Sequence, residues 1–523
     1  MTVQRKWLWS WVAGLTSGAA GLALAELVAF IVAPQASPFL AVGSLLIDLA
    51  PPGVKDAVIA VFGTNDKLFL LVLLALVLAV VTAGAGVLEL VKPPWGIVLL
   101  LVLGAAATAA VVTRAEASAL SSVPGVVGTL GACVLLRLIV RRLRDWTMQA
   151  MASGIDAARP ASAASVAVSR RGFLFLVSGT AAAAAVVGIG ARLANAASVA
   201  VETVREAISL PKPTTAAPPI PAGASLEVEG LSPLITPNDS FYRIDTALRV
   251  PTVDPSEWRL RVTGMVEREI ELTFDELLAL PLTETTITLM CVSNEVGGDL
   301  IGNAVWLGYP IRELLARAGP LEGADMVLSR SVDGFTAGTP LSILLEEDRD
   351  SILAVGMNGQ PLPPQHGFPV RMVVPGLYGY VSATKWVTEL RVTTFDDDSA
   401  YWTDRGWSAM GPIKIGSRID VPARGARPSA GTVAVAGVAW AQHTGIRGVE
   451  VQVDGGAWQS ARLASPISTD TWVQWVYEWD AAPGSHELRV RATDSTGGLQ
   501  SGASVPVVPD GAEGWHTVAV TIG

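Results

Sequence analysis

Thiols and imidazoles are scarce in this sequence: 523 residues hold two cysteines and four histidines. Cys133 lies inside an apolar run and Cys291 far beyond it, so a disulfide framework is excluded and Cys291 needs its own explanation. The histidines, His366, His443, His486 and His516, all follow the last long apolar stretch. Haem held between paired imidazoles of membrane helices is therefore excluded. No basic stripe is present and the formal net charge is -10. The chain lacks the cations that neutralise a phosphate backbone, which excludes nucleic acid as a partner. Ionisable groups inside the apolar stretches are few, Glu26 and Glu89 towards their ends and Arg137 near an edge, a thin signal for a proton path through a membrane.

Apolar residues are what the chain has in excess, 50% of the total, and they crowd its first two hundred positions. Spanning the hydrocarbon takes about 20 mainly apolar residues, and five stretches qualify: 8–33, 67–91, 95–113, 118–140 and 173–195. Residues 37–63 are apolar too, but Pro51, Pro52, Lys55 and Asp56 break them. They read as an interfacial excursion, a sixth span being the alternative. Arg5 and Lys6 precede the first span, Lys92 follows the second, and "RRLRDW" at 141–146 follows the fourth. These groups fall on one side, the cytoplasmic one by the positive-inside rule, so five spans leave everything after residue 195 outside. Ser169-Arg170-Arg171-Gly172-Phe173-Leu174, ahead of the fifth stretch, looks like a twin-arginine export signal, ordinary membrane-flanking charge being the other reading.

Beyond the apolar part, "PKPTTAAPPIPA" at 211–222 predicts an extended, semi-rigid spacer. "WRLRVTGMV" alternates like a half-buried strand, and "LTFDELLALP" opens with a capping box from Thr273 to Glu276 and stops before Pro281. "TTITLM" is a β-branched strand that delivers Cys291 at its end, and "YPIRELLARAGP" is a short amphipathic helix closed by Gly319. The next segment gives a strand, an Asn358-Gly359 turn, a loop, a second strand and a glycine-aromatic turn. This mixture is α+β. After about residue 415, short alternating strands with no helix between them fit a β-sandwich of immunoglobulin type. Its tryptophans, Trp440, Trp458, Trp472, Trp475 and Trp479, read as packing residues.

Three roles are open to Cys291 besides that of a small buried hydrophobe. A nucleophile wants a histidine base, for which His366 is the candidate in the α+β part. A redox thiol wants a resolving cysteine, and none lies outside the apolar stretches. A metal ligand is served by a lone thiolate if a cofactor brings further sulfurs, and this role survives best.

The run "LITPNDSFYRID", "TLMCVSNEVGG", "WLGYPIRELL", "SVDGFT", "MNGQPLPPQHGFPVRMVVPGLYGYVSATKW" and "PDGAEGWHTV" resembles the sulfite oxidase family of molybdopterin enzymes over nearly all of 226–523. The resemblance implies that Cys291 is the protein thiolate on molybdenum, and that His366, Arg371 and Lys385, with the backbone of Ser382 and Ala383, hold the pterin and its phosphate. Arg and Lys suit that anion, one by bidentate geometry and the other as a point charge. Asn238, Tyr242 and Arg243 fall where the family touches the pterin, and Asp333 sits at a turn with a structural or a cofactor-binding role. Arg405 is the candidate for attracting an anionic or dipolar substrate, with Trp407 as pocket wall. One departure counts against sulfite itself: Arg243-Ile244-Asp245-Thr246 stands where sulfite oxidases proper carry an Arg-Asn-His type sequence.

The expected chain is thus multi-domain. A four-span all-α transmembrane region occupies 1–168, a fifth helix with the twin-arginine-like signal 169–196, and a Pro-rich linker 197–225. A molybdopterin-binding α+β domain follows at 226–414, then an immunoglobulin-like sandwich at 415–523 of the family's dimerisation type, which raises a homodimer. The expected protein sits in the plasma membrane with its N-terminus cytoplasmic and its C-terminal domains outside. It is an oxidoreductase with molybdopterin and no haem, transferring an oxygen atom to or from a small S-oxide or sulfite-like substrate and exchanging electrons with an outside partner. A non-catalytic exported binding module that kept the fold is the rival reading.

Overall fold

The computed structural model describes residues 3–33, 36–51, 54, 58, 61–62, 66–114, 117–155, 171, 174–175, 177–180 and 196–523. The chain divides into two compact units, 1–199 with 247–249, and 200–246 with 250–523.

The first unit is helical: α1 (Val3–Val32), α2 (Pro38–Leu49), α3 (Asp66–Val91), α4 (Trp95–Val112) and α5 (Val123–Ile155). Four of these, over Lys6–Val32, Asp66–Val91, Trp95–Val112 and Val123–Met148, are long and apolar enough to cross a membrane. Helix α2 is too short for that, since 12 residues rise only about 18 Å. It starts on Ser37, whose hydroxyl accepts from Leu40 N–H, with Pro38 in the first turn. The rest of the expected excursion lies largely outside the described residues, as do the fifth stretch and the paired arginines before it. Helix α1 packs on α3 and α5 through small residues. A side chain at Gly14 would strike the carbonyl of Thr82, and one at Gly86 that of Ser10. Such close backbone approach is what holds helices together where lipid competes for apolar contact.

The second unit opens with β1 (Arg259–Gly264), β2 (Ile270–Thr273), α6 (Phe274–Leu278), β3 (Thr283–Met290), β4 (Ile301–Pro310) and α7 (Ile311–Ala318). It continues with β5 (Met326–Ser331), β6 (Thr336–Pro340), α8 (Leu341–Leu345), β7 (Ile352–Met357), β8 (Gln360–Pro361), β9 (Arg371–Val373), α9 (Gly379–Ser382) and β10 (Val387–Thr393). Two sheets result, ordered β2-β1-β10-β5-β6 and β3-β4-β7-β8, the latter with β9 on β7. Helix α6 carries the full capping box, Thr273 accepting from Glu276 N–H while Glu276 returns to Thr273 N–H. Gly319 ends α7 at φ 69°, where a side chain would be strained. Strand β3 is buried on nearly every residue because both its faces are covered. The Pro-rich stretch does not run free: Thr214 N–H donates to Leu282 O (2.8 Å) and Glu284 N–H to Thr215 O (2.8 Å), which covers the β3 edge.

The remaining strands are β11 (Gly416–Val421), β12 (Gly431–Trp440), β13 (Ile446–Val453), β14 (Gln459–Ser460), β15 (Arg462–Leu463), β16 (Val473–Ala481), β17 (Gly484–Asp494) and β18 (His516–Ile522). They form two four-stranded sheets, β11-β12-β16-β15 and β14-β13-β17-β18, around a Val-rich core holding Trp475 and Trp479. Trp440 and Trp472 instead join the α+β core. Trp472 donates its backbone N–H to Thr288 Oγ1 (2.8 Å) and its indole N–H to Leu234 O (3.0 Å). The sandwich thereby braces β3 three residues before Cys291.

Candidate functional site

Strand β3 ends at Met290, and Cys291 is the first residue of the loop that returns to β4. Its N–H donates to Leu300 O (2.9 Å) and its carbonyl accepts from Asn294 N–H (3.1 Å), which ties the loop ends together. Asn294 Oδ1 accepts from Leu300 N–H (2.8 Å), and Arg418 of β11 holds Gly298 O at 2.7 Å. Gly297 has φ 81°, and a Cβ there would run into the His516 ring. The glycine pair after Cys291 is therefore a requirement of close packing.

Cys291 opens onto a cavity of about 130 Å³ that also takes Tyr242, Asp333, His366, Arg371, Ala383 and Lys385 into its wall. Cys291 follows β3, Asp333 follows β5, His366 follows β8, and Ala383 and Lys385 follow β9, while Arg371 opens β9 and Tyr242 precedes β1. Burial pushes the Cys291 thiol above its usual range, against hydrogen bonds from Ser293 and the charge of Lys385. Burial likewise holds the Tyr242 phenol protonated.

His366 ends a short 3-10 turn, Pro364–His366, and is buried. Its Nε2 lies 3.0 Å from Asn238 O. A carbonyl can only accept, so Nε2 carries the proton and Nδ1 is left as an acceptor. Burial, joined by the charges of Arg371, Lys385 and Arg243, pushes the imidazole down to about 4, so the ring is neutral at pH 7.

Arg371, at the start of β9, is 6% exposed. Its guanidinium donates to the carbonyls of Met372 (3.3 Å), His366 (3.2 Å) and Ala383 (3.5 Å), and lies 5.2 Å from the Trp306 ring centre. Among the described residues no carboxylate pairs with it. Burial pushes it down to about 10. Lys385 Nζ meets Asp245 Oδ2 at 2.8 Å and Gln365 O at 3.2 Å. Burial pushes the ammonium down to about 8, opposed by Asp245. Gly367, at φ 111°, lets these two cations approach, since a Cβ would stand 2.9 Å from Arg371 Cβ and 3.2 Å from Lys385 Cα.

Several expected residues support the cavity without lining it. Asn238 donates its amide to Met357 O (3.2 Å), accepts from Asn358 (2.8 Å), and offers its own carbonyl to His366. Arg243 points outward and meets Asp245 through Nε at 2.9 Å. The Ser382 hydroxyl donates to Tyr378 O (3.0 Å) inside α9. Asp333 lines the cavity, and its Oδ1 accepts from Phe335 N–H (3.2 Å). Trp407 is part of the wall and Arg405 is not. Arg405 lies over the Tyr401 ring at 3.6 Å and donates to Tyr401 O at 2.7 Å, because the 3-10 turn Thr403–Arg405 faces its side chain back along the chain. The expectation that Arg405 attracts substrate thus concerns a residue outside the cavity wall.

Other lining residues were not singled out in the sequence. Trp402 and Tyr380 flank Trp407, their rings 6.1 and 5.8 Å from it, and Tyr380 donates its hydroxyl to Ser408 O at 2.7 Å. Asp245 stood out only as a departure from the family pattern. Its partner Lys385 is 140 residues away, and no local signal joins the two.

Residues 247–402 match the family model for the oxidoreductase molybdopterin binding domain, and residues 417–490 that for a bacterial Ig domain. The chain is 30% identical to the mitochondrial sulfite oxidase of Mus musculus over 368 residues, 60% of this chain and 65% of that one. It is 30% identical to sulfite oxidase from Gallus gallus over 346 residues, 57% of this chain and 73% of that one. A nitrate reductase from Nicotiana tabacum is 32% identical over 178 residues, 29% of this chain and 20% of that one. The chain spans 58–65% of the length of the mammalian relatives it matches.

Proposed function

The chain belongs to the sulfite oxidase family of molybdopterin oxidoreductases, and from that premise we propose that it is a membrane-anchored enzyme transferring an oxygen atom to or from a small S-oxide or sulfite-like substrate. One observation carries the reading. A thiol and two buried cations, Cys291, Arg371 and Lys385, share one cavity, and among the described residues the hydrogen bonds of Arg371 all go to carbonyl oxygens.

A buried cation without a carboxylate is costly unless an anion completes it, and a pterin phosphate is such an anion. Cys291 would hold the metal through Sγ, Arg371 and Lys385 would hold the phosphate, and His366 would meet the pterin with Nδ1 as acceptor. When bound, the cofactor supplies a centre that accepts or gives two electrons together with an oxygen atom. The residues supply the rest. His366 stays neutral and fixed by Asn238. Tyr242 keeps its proton against the thiol side of the cavity. Trp402, Trp407 and Tyr380 give the cavity an aromatic wall, which would limit bulk water within it so that charges there act through a low dielectric.

Elemental analysis of the purified chain tests the assignment: molybdenum near one per chain is expected, and Cys291→Ser should lose both metal and turnover. An unchanged metal content in that variant rejects the role of Cys291.

The four long apolar helices support anchoring in the plasma membrane, the basic residues at their ends favour an N-terminus inside, and the apolar stretch 173–195, as a fifth span, would carry the catalytic unit to the outside. Arg170 and Arg171 would direct export of that unit, and a separate membrane or soluble protein would exchange its electrons.

A further inference from the structure

Residues 243–246 are where this chain departs from the Arg-Asn-His type sequence of sulfite oxidases proper, and in the fold the departure puts a carboxylate into the cavity wall. The Asp245 side chain is 3% exposed, and its Oδ2 meets Lys385 Nζ at 2.8 Å and Arg243 Nε at 2.9 Å. Arg243, 40% exposed, holds the carboxylate from outside the wall. Lys385 depends on that carboxylate. Its ammonium is 10% exposed, and burial, Arg371 and Arg243 all act against its charge, whereas Asp245 supports it. An ammonium has three N–H donors. Asp245 takes one and Gln365 O another at 3.2 Å, with the Trp386 ring centre 4.7 Å from Nζ. Among the described residues no acceptor is recorded for the third, which is left for an anion beside Arg371.

We infer, resting on the reading of this site as a molybdopterin centre, that Asp245 is a positioning residue: it holds the Lys385 ammonium in place near Arg371, so that the two cations take the cofactor's phosphate together. Arg243 in turn fixes Asp245. A carboxylate that simply stood near the anion would repel it, and its removal would tighten binding. A carboxylate that places Lys385 has the opposite effect, and its removal weakens binding.

The sign of that change is the test. The full chain, purified in detergent from cells that cannot make the pterin, is titrated with inorganic phosphate, and the same variants from cells that make it are analysed for molybdenum. Asp245→Asn should bind phosphate about tenfold more weakly and hold less molybdenum, and Asp245→Glu should restore most of both. Lys385→Ala should weaken both readings by itself, and adding Asp245→Asn to it should weaken neither further, because the carboxylate then has no ammonium to place. General damage to the fold would add in either background. Asp245→Asn that binds phosphate as tightly as the unaltered chain or more tightly, or that causes a further loss in the Lys385→Ala background, overturns this inference alone. An unaltered chain without molybdenum overturns the underlying reading of the site, and this inference falls with it.

Discussion

At the scale of single residues, the site is a set of groups each held in the wrong medium for its charge. Arg371 is the sharpest case, a guanidinium whose hydrogen bonds all end on carbonyl oxygens. Arg371→Gln keeps some of those bonds and removes the charge, so molybdenum and pterin content should fall at least tenfold while the fold persists, as read by elemental analysis beside circular dichroism. His366 gives a pH signature. Its folded value of about 4 lies below the unfolded 6.5, so between them the unfolded chain binds the extra proton and stability falls as the pH falls. About 3 kcal/mol should be lost from pH 6.5 down to 4. Thermal unfolding of the cofactor-free protein checks this, and His366→Gln, which can still donate to Asn238 O, should flatten that limb. The residue types were legible in the sequence, because a cysteine after a strand and a histidine in a Pro-rich loop stand out locally. The direction of a side chain was not: Arg405 and Trp407 are two residues apart, and only a 3-10 turn sends one away from the cavity.

At the scale of elements, the loop from Cys291 to Leu300 decides where the thiol sits. Gly297→Ala would combine an unfavourable φ with a collision against His516, and it should cost about 1–2 kcal/mol and lower metal occupancy. Thermal melts and metal analysis of the same sample would reveal both effects. In the helical unit, Glu89 of α3 is fully buried, paired with Arg137 of α5 at 2.6 Å, and accepts from Ile97 N–H of α4 at 3.3 Å. Glu89→Ala strands the arginine and should lower the melting temperature in detergent, whereas adding Arg137→Leu should recover part of the loss. Such ties cross between helices, so the sequence showed Glu89 only as a lone acid near a helix end. The capping box at Thr273 and the Gly319 stop of α7 were readable in advance because every group they use lies within a few residues.

At the scale of the whole molecule, the question is which side of a membrane the second unit occupies. Exchanging Arg170 and Arg171 together for Lys should leave that unit protected from external protease in spheroplasts, whereas in the unaltered chain it should be digested. Two levels of information built this protein. Composition and local order alone determined the apolar helices, the β-branched strand ending at Cys291 and the alternating strands of the sandwich. Hydrophobic periodicity, caps and turns act over a few residues and need no distant partner. Only the tertiary structure decided that Asp245 meets Lys385, that Arg371 is left with carbonyls, and that Arg405 faces Tyr401. Those contacts depend on how loops from separate strands converge, and burial then sets the charge of each group.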